Sequence, residues 1–360
     1  MQFEVDRTDP TRTRTVEDRR DLAPGEARLT VERFGLSANN VSYHALGDVM
    51  GYWKLFPSPD AGTEWRRIPV WGFATVTGSA DDALPVGGRY FGMYPMGDEL
   101  VVRPTDVRDG SFRDGAEHRQ DVMAPVWNQY TVLPGDDASE GATRSWDVVM
   151  RPLAVTGFLV GDHLEQHGCF GADTVVLTSA SSKTALLSAF FVRALGGPRV
   201  VGLTSPGNRS FVEGTDAFDQ VLPYDEVGRL AGDGVVLLDY AGNVEVRSAV
   251  ADTCGAALVK HFAMGLAQAP DLGQLMDTAS LPGPAPEMFP AQLAVSARRR
   301  ELGGPEYDRR TAEAMASARS WTEGWLTLVE GHGTEAVAEV YRRLVEGGAP
   351  PDAGHVLLPD

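Results

Sequence analysis

Residues 173–211, DTVVLTSASSKTALLSAFFVRALGGPRVVGLTSPGNRSF, constrain this chain more than any other stretch. Residues 174–178 form an apolar, β-branched run of strand length, without the polar alternation of a half-exposed strand. Residues 184–195 are apolar on nearly all sides, as a buried helix is. Gly196, Gly197 and Pro198 stop that helix, and residues 199–203 are a second buried strand. Strand, helix, strand in this order is a βαβ unit, so the fold class is α/β with a parallel sheet. Between the first strand and the helix lie Ser179, Ala180, Ser181, Ser182, Lys183, Thr184 and Ala185. A helix N-terminus offers free N–H groups and the positive end of a dipole, so this turn suits a phosphate. The serine hydroxyls add donors and Lys183 adds a charge. The plainer reading is a serine-rich N-cap in a sheet that binds nothing.

A length of 360 residues predicts two domains. Lys and Arg number 32 against 50 Asp and Glu, a net charge of -18, which repels phosphate backbones and anionic lipid and argues against nucleic acid or a membrane as partner. No run reaches the roughly 18 apolar residues of a membrane span. The N-terminal residues have no apolar core of a signal peptide, so a cytoplasmic protein is expected. Cys169 and Cys254 are the only cysteines, too few for a disulfide framework or a four-cysteine zinc site.

The first 150 residues carry short strand-like runs at 28–34, 70–76, 89–94, 99–103 and 129–133. They predict a small barrel-like β domain, with a surface loop at 104–122. In the first run Leu29, Val31 and Arg33 share a face. From Met150 the period becomes helical, through 167. The parallel sheet is expected to continue through 220–222, 235–239 and 256–260. A Pro-rich surface loop (266–290), helices near 309–329 and 334–346, and a last strand at 353–359 follow. The domains are therefore 1–150, completed by about 300–360, and 151–300.

This order resembles the medium-chain dehydrogenase/reductase superfamily, in its zinc-free quinone- and enoyl-reductase branch. The segments that carry the resemblance are 24–40 (PGEARLTVERFGLSANN), 68–78 with 86–95 (IPVWGFATVTG and VGGRYFGMYP), 239–243 (DYAGN) and 354–358 (GHVLL). Segments YHALGD, GYW, FP and TSASSKT are also similar to a bacterial and fungal family at the superfamily's edge. The resemblance implies a Rossmann-like domain beside a GroES-like β domain, NADP as cofactor, and a homodimer paired at the edge of the sheet, near residues 256–262. The phosphate turn departs from the superfamily's pattern, with Ser182 and Ala185 at its later glycine positions. The early loop reads Ser37, Ala38, Asn39, Asn40, Val41, with no cysteine where zinc-dependent members place a ligand.

No acidic residue ends the second strand. Thr204, Ser205 and Arg209 there suit a 2′-phosphate, because a guanidinium matches phosphate with paired donors. The resemblance adds Asn39 and Gly242 to the cofactor-binding set of Ser179, Ser181, Ser182, Lys183, Thr184, Thr204, Ser205 and Arg209. It also places residues 39–53 beside the nicotinamide, which makes Tyr52, then Tyr43, the candidate acid for reduction of an enone or quinone. His44 is a weaker candidate. His163 and His167, four apart on a helix, lack an obvious further ligand, and no metal is expected. Two other readings remain open. The chain could be a dehydrogenase-like binding or scaffold protein. It could also be a hydrolase with Ser181 as nucleophile, although that elbow needs flanking glycines.

Overall fold

The computed structural model describes residues 1–60, 64–122, 124–133, 141–265, 283–289 and 291–359. They form two compact units, Met1–Val149 with Leu328–Asp360, and Met150–Thr327.

The first unit is built on antiparallel strands. In chain order they are β1 (Gln2–Asp6), β2 (Thr13–Val16), β3 (Ala27–Leu36), β4 (Trp65–Arg66), β5 (Pro69–Ser79), β6 (Arg89–Pro95), β7 (Glu99–Val102), β8 (Pro104–Arg108), β9 (Ser111–Asp114) and β10 (Gln129–Thr131). The larger sheet runs β17-β18-β3-β5-β6-β10-β9-β8, with β7 also on β3; β17 (Thr327–His332) and β18 (Ala353–Leu358) come from the C-terminal segment. In β3 the inward alternation of Ala27, Leu29 and Val31 holds, then breaks. A register shift between Val31 and Arg33 turns Phe34 into the core, and Arg33 donates to Ser145 Oγ instead of sharing the Leu29 face. The segment expected as a loop at 104–122 contains the β8–β9 hairpin, whose Phe112 stacks on Tyr130 at 4.8 Å.

A second sheet, β2-β1-β4, lies outside the sequence expectations. All five residues of β1 are buried, including Glu4 and Asp6. Glu4 accepts from Arg14 and Arg67, and Asp6 from Arg12 and Thr8, so no buried carboxylate stands alone.

In the second unit β11 (Thr174–Leu177), β12 (Arg199–Thr204), β13 (Gln220–Pro223), β14 (Val235–Asp239), β15 (Leu258–Ala263) and β16 (Glu287–Met288) pair in parallel, in the order β13-β12-β11-β14-β15-β16. This is the order 3-2-1-4-5-6 of a doubly wound dinucleotide-binding sheet. The later part of α2 (Gly141–Gln166) and α3 (Lys183–Arg193) cover one face, where Leu159, Leu164, Leu186 and Ala189 meet Val175, Leu177 and Val236. Gly157 sets that helix pair: a Cβ there would lie 2.8 Å from the Leu187 backbone. The other face packs Val176, Leu203 and Leu237 on Val246 and Val250 of α5 (Val244–Cys254), which follows the short α4 (Arg209–Gly214) in the chain.

The return to the first unit, expected near 300, falls after Thr327. The intervening helices α6 (Ala291–Leu302) and α7 (Gly304–Thr322) are fastened to the second unit. Arg298 grips Asp162 through two donors, and Trp321 stacks on Phe190 at 4.8 Å while donating to the Thr215 carbonyl. Of the Pro-rich stretch 266–290, only 283–289 lie within the described residues. Residues 256–262, expected near the sheet edge, lie one strand in from it, because β16 pairs with Phe262 and Ala263. The helix expected at 334–346 is α8 (Gly333–Val345), which packs Val337, Tyr341 and Leu344 into the first unit.

Candidate functional site

The strands are added in one direction from β11 to β13 and in the other from β14 to β16, so strand order reverses between β11 and β14 and a crevice opens outside their C-terminal ends. A buried network spans this point. Thr178 Oγ1 donates to Asp239 Oδ1 at 2.6 Å and accepts the Ala241 N–H at 2.9 Å. Gly242, at φ +67°, donates its N–H to the same carboxylate oxygen. Arg247 Nε lies 3.7 Å from Asp239 Oδ2, and both side chains are fully buried. Burial pushes the Asp239 carboxyl above its ordinary pKa, against the pull of Thr178 and the two backbone donors.

The predicted phosphate turn follows β11. Ser179 takes a left-handed conformation, φ +50°, and donates its N–H to Tyr224 Oη at 3.1 Å. Ala180 donates its N–H to the Leu203 carbonyl, and its methyl rests on Gly202, where an added Cβ would sit 2.9 Å away. Ser182 caps α3 through the Ala185 N–H, at a helix start where the first N–H groups point out of the helix. Ser181 Oγ accepts from Asn208 Nδ2; among the described residues no histidine or carboxylate is bonded to it, as a hydrolase nucleophile would require. Thr204 is buried at the end of β12 with no partner for Oγ1 among the described residues, and Ser205 is half-buried beside it. Arg209 is half-exposed; Nε donates to Glu213 at 2.8 Å and Glu226 lies 3.8 Å from it. The small side chains, the start of α3 and the unpartnered Thr204 hydroxyl therefore fit a dinucleotide phosphate group. A 2′-phosphate would have to compete with Glu213 for Arg209.

In the first unit, residues expected as a loop start with a helix, α1 (Ala38–Ala45). Ser37 and Asn40 form its capping box. Asn40 also donates Nδ2–H to the Pro69 carbonyl at 3.1 Å, which ties α1 to the start of β5. One helical turn later, Tyr43 Oη accepts from Asn39 Nδ2 at 3.0 Å. Burial outweighs the pull of Asn39 and Trp71 and pushes the Tyr43 phenol up to about 12. Tyr52 is 3% exposed and lies between Tyr43 (4.3 Å, interplanar 26°) and Trp127 (4.7 Å). Burial drives its phenol well above the ordinary range. His44 Nε2 is 2.7 Å from the Asp6 carbonyl and edge-on to Trp53, a packing role.

Sequence reasoning missed Arg119. It is fully buried and donates to the carbonyls of Leu55 and Trp127 and to Tyr130 Oη, so it fastens the turn after Tyr52 to the segment carrying Trp127. A buried arginine in a polar stretch carries no sequence signal. Nor does Tyr224, which lies 45 residues from the turn it holds. In the second unit His163 and His167 stand 4.2 Å apart against Phe170. Among the described residues no cluster of three or more His, Cys, Asp or Glu could hold a metal ion. Also among them, no helix is long and apolar enough to cross a membrane.

A parallel 3-2-1-4-5-6 sheet beside an antiparallel β unit closed by the C-terminal strands is the fold of the medium-chain dehydrogenase/reductases. A family model described as "Protein of unknown function (DUF2855)" matches residues 34–350, and the chain belongs to this family. No curated protein matches. Among solved structures, the chain is similar to the quinone oxidoreductase of Coxiella burnetii (TM-score 0.60, 12% identity, 100% of this chain and 99% of that one). A Pseudomonas syringae quinone oxidoreductase is similar too (TM-score 0.59, 14% identity, 99% of each chain). So is CurA of Vibrio vulnificus in complex with NADPH (TM-score 0.57, 15% identity, 96% and 93%).

Proposed function

We propose that this protein is an NADPH-dependent reductase of an enone or quinone-type substrate. The observation that carries the reading is the small-residue turn 178–184, which opens the N-terminus of α3 at the switch point of the parallel sheet. The similar solved structures include quinone oxidoreductases and a protein in complex with NADPH, which supports it. Bound NADPH would supply the hydride. Ser181, Lys183 and Thr184 would hold its pyrophosphate, with Thr204, Ser205 and Arg209 at the 2′-phosphate. Asn39 is engaged with Tyr43, and Gly242 serves the cofactor through its backbone. The tyrosines of the first unit supply a neutral donor to the substrate oxygen, so an enone is served without a Lewis acid. The cysteine-free segment 37–41 agrees with independence from zinc.

Titration with NADPH and NADH, read by melting temperature and nicotinamide fluorescence, tests the cofactor. NADPH oxidation with enones, quinones and simple alcohols, with and without chelator, tests the reaction. Arg209→Ala is expected to weaken NADPH about tenfold and NADH little, since a charge-assisted hydrogen bond contributes about 1.5–3 kcal/mol and Glu213 competes for it. Equal weakening of the two cofactors rejects this phosphate placement. The pairing of Arg209 with Glu213 also favours a second reading, a protein that binds no dinucleotide. Absence of any response to either nucleotide would select it.

The proposal extends to a cytoplasmic homodimer formed at the β16 edge, where Met288 is exposed. Sedimentation at the mass of a single chain at micromolar concentration would reject the dimer.

A further inference from the structure

Arg209 stands beside the phosphate turn, and it does not stand alone. Asn208, just before it, donates Nδ2–H to Ser181 Oγ of the turn at 3.1 Å, which fastens the start of α4 there. The short helical segment Tyr224–Arg229 is fastened to the same turn, since Tyr224 Oη accepts the Ser179 N–H at 3.1 Å. These two elements bring four charged side chains together. Arg209 Nε donates to Glu213 Oε1 at 2.8 Å, one turn along α4, and its guanidinium lies 3.8 Å from Glu226 Oε1. Arg229 also pairs with Glu226. Two guanidinium groups face two carboxylates, so within this group of four Arg209 brings no surplus positive charge to the end of β12.

The two carboxylates are not held alike. Among the described residues Glu213 pairs with Arg209 alone, across an i, i+4 spacing, and its side chain is 47% exposed. Exposed pairs of this kind are weak, so a stronger anion displaces the glutamate. Glu226 is shared between Arg209 and Arg229, so it stays in place when Arg209 turns to another anion. A phosphate monoester carries roughly two negative charges at neutral pH. On Arg209 it would gain charge-assisted bonds and at the same time stand beside a fixed like charge. A ribose with a free 2′-hydroxyl carries no charge at that point, so neither carboxylate repels it.

We infer that Glu213 and Glu226 are specificity-determining residues that offset the pull of Arg209 on a 2′-phosphate, so that the site takes both NADPH and NADH. NADPH leads by only about tenfold, the low end of what one charge-assisted hydrogen bond contributes. The inference rests on the reductase reading, with the 2′-phosphate at Arg209. Glu213 acts as the counter-ion that the 2′-phosphate replaces. Glu226 acts as a standing negative charge that limits what the replacement gains. All four residues belong to the second unit, so the device is complete there and asks nothing of the first.

The test measures binding to the full-length protein with two ligand pairs that differ by the 2′-phosphate. NADPH and NADH are followed by fluorescence, adenosine 2′,5′-bisphosphate and AMP by calorimetry. Glu213→Gln is expected to tighten the phosphorylated member of each pair about threefold, because no ion pair has to be displaced. Glu226→Gln should tighten it about tenfold, since it removes the standing repulsion and leaves Arg229 as a second cation. NADH and AMP have no 2′ charge and should change less than about twofold in both variants, which also reports an intact fold. In an Arg209→Ala background Glu213→Gln should gain no more than about twofold, because its partner is gone. Glu323→Gln, at an exposed carboxylate just past the end of α7, controls for net charge and should change none of the four ligands. Unchanged or weaker binding of the phosphorylated ligands in either glutamate variant would remove that carboxylate from the role. An equal gain in the Glu323→Gln control would overturn the inference. A wild-type preference for NADPH above about 100-fold, the effect of unopposed charge-assisted bonds, would overturn it as well. In each of these cases selective loss of NADPH in Arg209→Ala would leave the reductase reading standing. A wild-type protein that binds none of the four ligands would remove that reading and this inference together.

Discussion

Asp239→Ala is expected to cost the second unit about 3–5 kcal/mol, the usual consequence of stripping one partner from a buried ion pair. Four groups lean on that carboxylate. Thr178 Oγ1 and the Gly242 N–H donate to it directly, at 2.6 and 3.0 Å. The Ala241 N–H is shared between it and Thr178. Arg247 faces it at 3.7 Å with both side chains fully buried. Removing it takes a carboxylate partner from a fully buried guanidinium. Urea unfolding of Asp239→Ala, Thr178→Val and Arg247→Met separates the contributions. Thr178→Val removes one hydrogen bond and should cost about 1–2 kcal/mol. The double variant Asp239→Asn, Arg247→Met should be more stable than Asp239→Asn alone, because the buried charge leaves with its partner. A loss below about 1 kcal/mol in Asp239→Ala would mean that the pair does not hold the strand ends together. The network sits at the switch point, so the same variants should loosen NADPH binding wherever the second unit still folds.

This network was only half legible in the sequence. The segment DYAGN was read, through the resemblance, as a strand end. Nothing in sequence marked Arg247 or Thr178 as its partners, because an ion pair across two strands and a helix has no spacing rule. The βαβ run at 174–203 was legible for the opposite reason. Its strands are buried on both faces, so their composition alone betrays them, and Ser182 caps α3 by a local rule. β1 was invisible because QFEVD places two carboxylates among its buried residues. Their compensation by Arg12, Arg14 and Arg67 is tertiary. The helix α1 was hidden in ANNVSYHA, where two asparagines depress helix propensity; here Asn40 works as a capping residue and Asn39 as a side-chain donor. The sequence therefore put Tyr52 ahead of Tyr43 with no sign of the Asn39 bond to Tyr43 Oη.

Acid should destabilise the protein well before its carboxylates are lost, and His261 is expected to carry about 3 kcal/mol of that effect. His261 lies on β15, 2% exposed, with Nε2 buried and unpartnered among the described residues. Burial, with the Arg247 charge nearby, pulls its pKa from 6.5 down to about 4. At about 1.36 kcal/mol per pH unit, a fall of about 2.5 units corresponds to about 3 kcal/mol. The sign follows from which state binds the proton first. Between pH 6.5 and 4 the unfolded chain protonates His261 while the folded chain keeps it neutral, so protons favour unfolding. Stability from this residue is complete above pH 6.5 and has been lost by about pH 4. His163, whose pKa burial also lowers, adds to the same slope. Asp239 opposes it, since its carboxyl is raised in the folded state and protonates there first. Asp173 and Asp9, with lowered pKa values, lose their contribution only at lower pH. Comparing wild type with His261→Leu isolates the residue from these neighbours. The difference in urea-unfolding free energy between pH 7.5 and 4.5 should be about 2–3 kcal/mol smaller in the variant. Equal acid slopes in the two proteins would show that His261 is protonated in the folded state, with its charge accommodated beside Arg247.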